Sequence, residues 1–187
     1  MTLAQQQHLM TFEDYLAWSA RQERGRYEFI DGGIVEMPAE GVEHNRVKSV
    51  MWIALRDAVA SAGFPGDALA DGMAIQTRGG ARGREPDAMV SVTRVAAKSL
   101  FVPDPMIVAE VVSPSSERDD TGDKLDEYFS VPTIAHYLIV RPEKKLIVHH
   151  ARATDGTVRT SFVTGATLIL DPPGLTLDLA PIWAACG

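Results

Sequence analysis

Two carboxylates lie inside short runs of apolar and β-branched residues, where a folded protein rarely places a charge. Asp87 begins the run DAMVSV, and Glu110 interrupts the run PMIVAEVV. The continuous apolar character of both runs predicts central strands that are buried on both faces. Two convergent carboxylates suit a divalent cation, because hard ions such as Mg²⁺ prefer oxygen ligands. The sequence therefore predicts a metal site between two neighbouring strands.

A lysine on the next predicted helix is a third candidate for this site. Turn and cap residues in SPSSERDD predict a helix that begins at Asp120 or Thr121. Helical spacing puts Lys124 and Tyr128 on one face of that helix, while the apolar residues beside them form a packing face. The face of Lys124 can then point at the two acids.

Hydrolysis of a phosphodiester needs a nucleophilic water, neutralised phosphoryl oxygens and a stabilised leaving oxygen. We expect Asp87 and Glu110 to hold Mg²⁺, with help from the backbone carbonyl of Val111. Lys124 would orient the water or stabilise the pentacovalent phosphate. Each residue alone has an ordinary alternative: a turn residue, an interior acid paired with Arg or Lys, or an exposed helix lysine. The metal site is favoured because the acids fall in two separate apolar strands.

Composition limits the class of protein. The chain has 187 residues, which suits one domain, and 45% of them are hydrophobic. No apolar stretch approaches the ~20 residues of a membrane-spanning helix. Residues 1–10 predict a loose leader rather than a secretory signal, and the single cysteine, Cys186, fits a reducing cytoplasm. The net charge of −7 argues against a protein that coats nucleic acid, but a nuclease stays open because a local basic strip can steer a polyanion.

The N-terminal region predicts a helix and a hairpin. Thr11 and Asp14 come close to a capping box at the start of a short amphipathic helix. The segment YEFIDGGIVEM then has two β-rich arms around Asp31-Gly32, a dipeptide favoured in two-residue turns. We expect the helix to cover one edge of the fold.

Two further residues are secondary candidates for the site. The hairpin puts Glu28 on an apolar face, where it is either a third acid at the metal site or a structural acid. In the structural alternative it pairs with an arginine such as Arg26 or turns to water. Apolar positions spaced by three and four predict a helix from His44 to Ala62, which Gly63 ends. His44 can reach the site from the helix start, although a structural or solvent-facing histidine is the more common case.

The segment TRGGARGRE predicts a flexible, locally positive loop. Its arginines are Arg78, Arg82 and Arg84. A solvated hairpin loop is the ordinary interpretation. The alternative is a phosphate clamp beside the acids, because the strand of Asp87 begins where this loop ends.

The remaining segments predict a supporting sheet. Residues 68–76 indicate one or two strands broken at Asp71-Gly72, and AHYLIV and KLIVHHA indicate two more strands. A further strand ends near Val163, and TLILDPPGLTLDL predicts two shorter edge strands. His149 and His150 alternate across a strand, so they point to opposite faces and cannot bind one ion together.

The order of five motifs resembles a known family. The motifs are EFIDGGIVEM, the histidine of EHN at a helix start, EPDAMV, IVAEVVSPSS, and DTGDKLDEYFSV followed by AHYLIV. In this order and spacing they resemble the Uma-type restriction endonucleases, a branch of the PD-(D/E)xK nuclease superfamily. The resemblance covers nearly the whole chain, including the closing GATLILDPPGLTLDL.

This resemblance implies a fold and a set of site residues. The implied fold is a restriction-endonuclease-like α/β core, with a mixed central β-sheet flanked by helices. Asp87 looks like the acid of the PD motif, and Glu110 looks like the acid of the (D/E)xK motif. The lysine position of that motif is Val112 here, and the likeness suggests that its role has moved to Lys124. Glu28 and His44 also match positions that look typical of the family.

The leading hypothesis is a Mg²⁺-dependent endonuclease, a hydrolase that acts on DNA and also accepts Mn²⁺. A catalytically silent relative that binds nucleic acid or a protein partner is the main alternative, which the acidic composition favours. Hydrolysis of a smaller phosphoester is a third hypothesis. A homodimer would be the usual way to cut both strands of a duplex.

Overall fold

The computed structural model describes residues 10–112 and 123–186 and shows the predicted mixed α/β architecture. The helices are α1 (Phe12–Ser19), α2 (Val42–Ala62), α3 (Asp123–Phe129) and α4 (Ala180–Ala185). The strands are β1 (Tyr27–Ile30), β2 (Gly33–Glu36), β3 (Ala68–Ala70), β4 (Ala74–Thr77), β5 (Arg82–Arg84), β6 (Ala88–Ser91), β7 (Phe101–Val102), β8 (Pro105–Val111), β9 (His136–Arg141), β10 (Leu146–Arg152), β11 (Val158–Val163), β12 (Thr167–Leu170) and β13 (Leu175–Asp178).

A six-stranded mixed sheet in the order β11-β10-β9-β8-β6-β3 forms the centre of the fold. The strands β8 and β9 are parallel, and the other pairs are antiparallel. Apolar residues of α2 such as Met51 and Leu55 pack on one face of this sheet, and Tyr128 of α3 packs on the other. The two predicted central strands are therefore β6 and β8, and both are buried as the continuous apolar runs indicate.

A second sheet, in the order β2-β1-β5-β4-β7, carries the N-terminal elements. The predicted capping box of Thr11 and Asp14 begins α1, and the predicted hairpin joins β1 to β2 through Asp31 and Gly32, both with positive φ. The helix packs directly on this sheet: a side chain at Gly83 would place its Cβ only 2.6 Å from the ring of Phe12. The helix α1 is thus fixed to the second sheet by the packing of Phe12.

One segment differs from the sequence-based expectation, and the structure adds the strand partners of two others. The predicted arginine loop contains the strand β5, which pairs with both β1 and β4. The strands β3 and β4, separated at Asp71-Gly72 as predicted, enter different sheets. The predicted C-terminal edge strands, β12 and β13, pair only with each other and bury leucines against α2, while β11 forms the edge of the central sheet. Strand partners are set by long-range packing, which the local pattern does not encode.

Two predictions lie outside the described residues: the loose leader, except for Met10, and the turn and helix start from Ser113 to Gly122. Among the helices of the described ranges, none is both long and apolar enough to cross a membrane.

Candidate active site

Asp87 lies where the chain passes from one sheet to the other. The chain leaves the second sheet at the end of β5 and enters the central sheet at Ala88, so Asp87 directly precedes β6. Ala88 pairs with Ala109 in antiparallel register, and Glu110 is the next residue of β8. The amide of Val111 donates a hydrogen bond of 2.7 Å to Oδ2 of Asp87. The fold thus brings Asp87, at the start of β6, next to Glu110 of β8.

The surroundings of Asp87 come from α2. Asp87 is 5% exposed, and Nζ of Lys48 lies 3.4 Å from its Oδ1. Nε2 of His44 lies 3.8 Å from Oδ2 and 2.6 Å from the carbonyl oxygen of Val111. Burial raises the pKa of Asp87 above its ordinary value, although the Val111 amide and the Lys48 ammonium oppose the shift. His44 reaches the site, as its place at the helix start predicts.

The surroundings of Glu110 come from α3. Nζ of Lys124 donates a hydrogen bond of 3.2 Å to Oε1 of Glu110, and the hydroxyl of Tyr128 donates to the same oxygen. The two side chains reach Glu110 together because residues four apart share a helix face. Burial, reinforced by the charge of Glu110, raises the pKa of Tyr128 well above 10.0, so its hydroxyl stays a donor.

A buried lysine beside Asp87 is the main feature that the sequence interpretation missed. Lys48 is 3% exposed, and its ammonium contacts Glu40 at 2.6 Å and Asp71 at 2.7 Å. Burial alone would lower the pKa of Lys48, but hydrogen bonds to Asp71 and Glu40 outweigh it and raise the pKa. The spacing of four residues from His44 was the available signal, because it puts both side chains on one face of α2.

An arginine joins this cluster from the N-terminal side. Arg26 contacts Glu85 at 2.7 Å and Asp71 at 3.3 Å, and it also contacts Glu40. The cluster around Asp87 therefore links the chain before β1, the segment after β2, the turn between β3 and β4, and α2. These contacts fix the junction at which Asp87 lies.

Glu28 is paired with an arginine, which is the structural alternative of the two that the sequence left open. The partner is Arg84 rather than Arg26: its Nη1 donates a hydrogen bond of 2.7 Å to Oε2 of Glu28. Nε and Nη2 of Arg84 bind the buried Glu127 of α3 at 2.7 and 2.8 Å. This chain of contacts ties the second sheet to α3, and Glu28 contributes to the frame around Glu110.

The predicted phosphate clamp is only partly exposed. Arg84 is buried between two carboxylates, because β5 runs through the predicted loop, and it does not face solvent as a clamp requires. Arg82 contacts Asp31 at 2.8 Å and also Glu127. The side chain of Arg78 is 40% exposed and contacts the exposed Asp126. Arg78 is thus the most exposed of the three arginines.

The donor set at the site fits a magnesium ion. In the described ranges no group of three or more His, Cys, Asp or Glu side chains is arranged to hold a metal ion. Asp87, Glu110 and the carbonyl of Val111 instead provide two carboxylates and one backbone oxygen. Mg²⁺ is commonly held by one or two carboxylates and completes its shell with water and substrate phosphates. The types of these three donors therefore suit Mg²⁺.

Comparison with known proteins identifies the family of the chain. The model of the Uma2 family, described as a putative restriction endonuclease, matches residues 12–180. The chain belongs to the Uma2 family. Its match spans the acids, α2 and α3, so the resemblance in the sequence is confirmed.

This Uma2 protein is also similar to one protein in sequence and to one protein in structure. It is 31% identical over 147 residues to the uncharacterized protein slr1290 of Synechocystis sp., covering 77% of this chain and 75% of the relative. Its structure is similar to the crystal structure of a putative nuclease belonging to DUF820 from Anabaena variabilis. That similarity has a TM-score of 0.69 at 13% identity and covers 95% of this chain and 99% of the other. It confirms the nuclease-like α/β fold.

Proposed function

We propose that this Uma2 protein is a Mg²⁺-dependent endonuclease that hydrolyses phosphodiester bonds in DNA. The observation that carries the proposal is the position of Asp87 at the start of β6 beside Glu110 of β8, with an ammonium group bound directly to Glu110. Membership of a family described as a putative restriction endonuclease and a fold shared with a protein described as a putative nuclease support the same reaction class. Mn²⁺ would serve in place of Mg²⁺, because both ions accept carboxylate, carbonyl and water oxygens.

The protein orients the two acids before an ion arrives. The Val111 amide binds Oδ2 of Asp87 and leaves Oδ1 on the side of Lys48. Tyr128 holds Oε1 of Glu110. Asp87, Glu110 and the Val111 carbonyl would hold the ion, which when bound acidifies a water and neutralises charge on the phosphoryl oxygens.

Lys124 would act on the reacting groups. Its ammonium lies 3.2 Å from Glu110, so a water or phosphoryl oxygen brought next to that carboxylate comes within reach of Nζ. An ammonium donor at this place stabilises the negative charge that develops on the phosphate in the transition state. The helix α3 thereby supplies the role that Val112 cannot supply from β8.

A silent nuclease fold that binds nucleic acid or a protein partner is the second candidate function, and one observation favours the protein partner. Arg82 and Arg84, which a DNA-cleaving site would use for phosphate contacts, are both engaged by acids of the protein. The net charge of −7 points the same way.

Cleavage assays separate the two functions. Purified protein is incubated with supercoiled, linear duplex and single-stranded DNA in Mg²⁺ or Mn²⁺, with EDTA as the control. We expect cleavage that Asp87→Asn and Glu110→Gln each reduce by more than ~100-fold, since loss of a supporting residue alone costs 10–100-fold at metal sites. Circular dichroism checks that both variants fold. Wild-type protein that binds no divalent ion and cleaves none of these substrates would reject the enzyme and favour the silent protein.

A further inference from the structure

We infer that Lys48 is a built-in counter-ion of the metal site, whose ammonium group competes with a divalent cation for Asp87 and so limits the affinity for that cation. This inference rests on the proposed function, because it takes Asp87 as a ligand of the ion. It assigns Lys48 a role distinct from that of Lys124. Lys124 would act on the substrate, whereas Lys48 would act on the metal.

The position of the ammonium group is the first support. Nζ of Lys48 lies 3.4 Å from Oδ1 of Asp87, and the other oxygen of Asp87 is occupied by the Val111 amide. The ammonium therefore faces the carboxylate oxygen that the backbone leaves available. A cation that binds Asp87 through this oxygen meets the charge of Lys48 at close range.

The anchoring of Lys48 is the second support. An ammonium has three donors, and the contacts of Lys48 to Glu40 and Asp71, at 2.6 and 2.7 Å, are shorter than its contact to Asp87. Two carboxylates outside the proposed ligand set thus hold the ammonium in place. Lys48 is 3% exposed, so a move of its ammonium to solvent would break both of these contacts.

The local charge is the third support. The cluster contains four carboxylates and two fixed positive charges. The carboxylates are those of Glu40, Asp71, Glu85 and Asp87, and the positive charges are those of Lys48 and Arg26. Replacement of Lys48 by a neutral residue leaves Arg26 as the partner cation of the group. The site then attracts a divalent cation more strongly, because a positive charge that repels the ion has been removed. This repulsion is large where the effective dielectric constant is low.

A purely structural role for Lys48 makes the opposite prediction. If Lys48 only held Asp87 in a binding-competent position, its removal would loosen Asp87 and weaken the binding of an ion. The sign of the change in affinity therefore decides between the two roles, and the measurement does not depend on cleavage.

The test is isothermal titration calorimetry of the full chain with Mn²⁺ and with Mg²⁺ at pH 8. Lys48→Met is expected to bind Mn²⁺ at least ~10-fold more tightly than the wild type, which corresponds to about 1.4 kcal/mol. Arg46→Met is the matched control, because Arg46 is on the same helix but is exposed, and it should leave the affinity unchanged. Equal or weaker binding by Lys48→Met would overturn the inference.

A double variant tests whether the gain in affinity for Mn²⁺ depends on the carboxylate of Asp87. The gain in affinity should disappear when Lys48→Met is combined with Asp87→Asn. A gain that persists in the double variant would show that Lys48 acts on the other carboxylates, and the inference would be wrong. If Lys48→Met does not fold, Lys48→Gln replaces it, because its amide can still donate to Glu40. The readout is then the rise in melting temperature on addition of Mn²⁺, expected to exceed that of the wild type.

The outcomes also separate this inference from the proposed function. A wild type that cleaves DNA and binds Mn²⁺ as tightly as Lys48→Met retains the function and rejects the role of Lys48. Binding by Lys48→Met alone supports the counter-ion directly. The absence of ion binding and cleavage in the wild type and in all variants rejects both.

Discussion

The two acids of the site are neutralised in different ways. Asp87 receives a backbone amide and the charge of a lysine that other carboxylates anchor. Glu110 receives a lysine and a tyrosine that both bind one of its oxygens. Neighbouring carboxylates on adjacent strands thus have separate supports, one from α2 and one from α3. On the proposed function, the α2 side would govern how firmly an ion is held, and the α3 side would act on the substrate.

The largest expected difference between the α2 side and the α3 side of the site is in the rate of DNA cleavage. Lys124→Met should reduce the rate of DNA cleavage by ~100-fold, the loss typical of removing one donor to a transition-state oxyanion. Its affinity for Mn²⁺ should not weaken, because Lys124 contributes a positive charge and no ligand. Cleavage rates at saturating Mn²⁺ measure the effect. Lys48→Met, on the α2 side of the site, is measured in the same assay for comparison. Unchanged turnover of Lys124→Met would reject the role of Lys124.

A smaller effect is expected from the tyrosine beside Lys124. Tyr128→Phe removes the hydroxyl that donates to the buried Glu110, so the free energy of unfolding should fall by about 1–3 kcal/mol. Cleavage should fall by ~10-fold, since Glu110 is less firmly oriented. Urea unfolding and cleavage assays measure the two effects. Tyr27→Phe is the control, because its hydroxyl forms an exposed hydrogen bond of 3.2 Å to Arg24, and it should change stability by less than ~0.5 kcal/mol.

The smallest effect concerns the free energy of unfolding at acid pH, to which Glu127 of α3 contributes through its pairing with Arg84 and Arg82. Hydrogen bonds and charges of Arg84 and Arg82 outweigh burial and hold the pKa of Glu127 below its ordinary value of 4.5. A carboxyl whose pKa is lower in the folded state stabilises the protein above its unfolded pKa, and this contribution is lost as the pH falls through the folded value. Urea unfolding from pH 7 to pH 3 should therefore show decreasing stability below about pH 4.5.

Glu127→Gln tests this assignment. The variant should be less stable than the wild type at pH 7, because Arg84 loses a charged partner in the interior. Its stability should depend less on pH in the acid range. Asp126→Asn is the control, since Asp126 is an exposed neighbour on the same helix. An equally steep acid dependence in Glu127→Gln would contradict the assignment.

Much of this site could be predicted from local sequence. The apolar runs identified β6 and β8, and the period of the helix placed Lys124 and Tyr128 on the face that meets Glu110. Both features depend on residues close together in the chain. The spacing of two and four residues is enough to fix which side chains share a face.

The cluster around Asp87, which includes Lys48, could not be predicted in the same way. Its members Arg26, Glu40 and Asp71 come from separate loops that meet only when the two sheets are assembled. The burial of Arg84 has the same origin, because β5 is a strand through its pairing with β1 and β4 rather than through its own glycine-rich sequence. Charges brought together by long-range packing leave little trace in local patterns.

Asp87 and Glu110 are proposed to form one metal site. Titration of Mn²⁺ into the wild type and into Asp87→Asn and Glu110→Gln, followed by calorimetry, tests it most directly. We predict that the wild type binds the ion and that each single variant loses this binding while it keeps the circular dichroism spectrum of the folded protein. Binding that persists unchanged in either variant would contradict a site shared by the two acids.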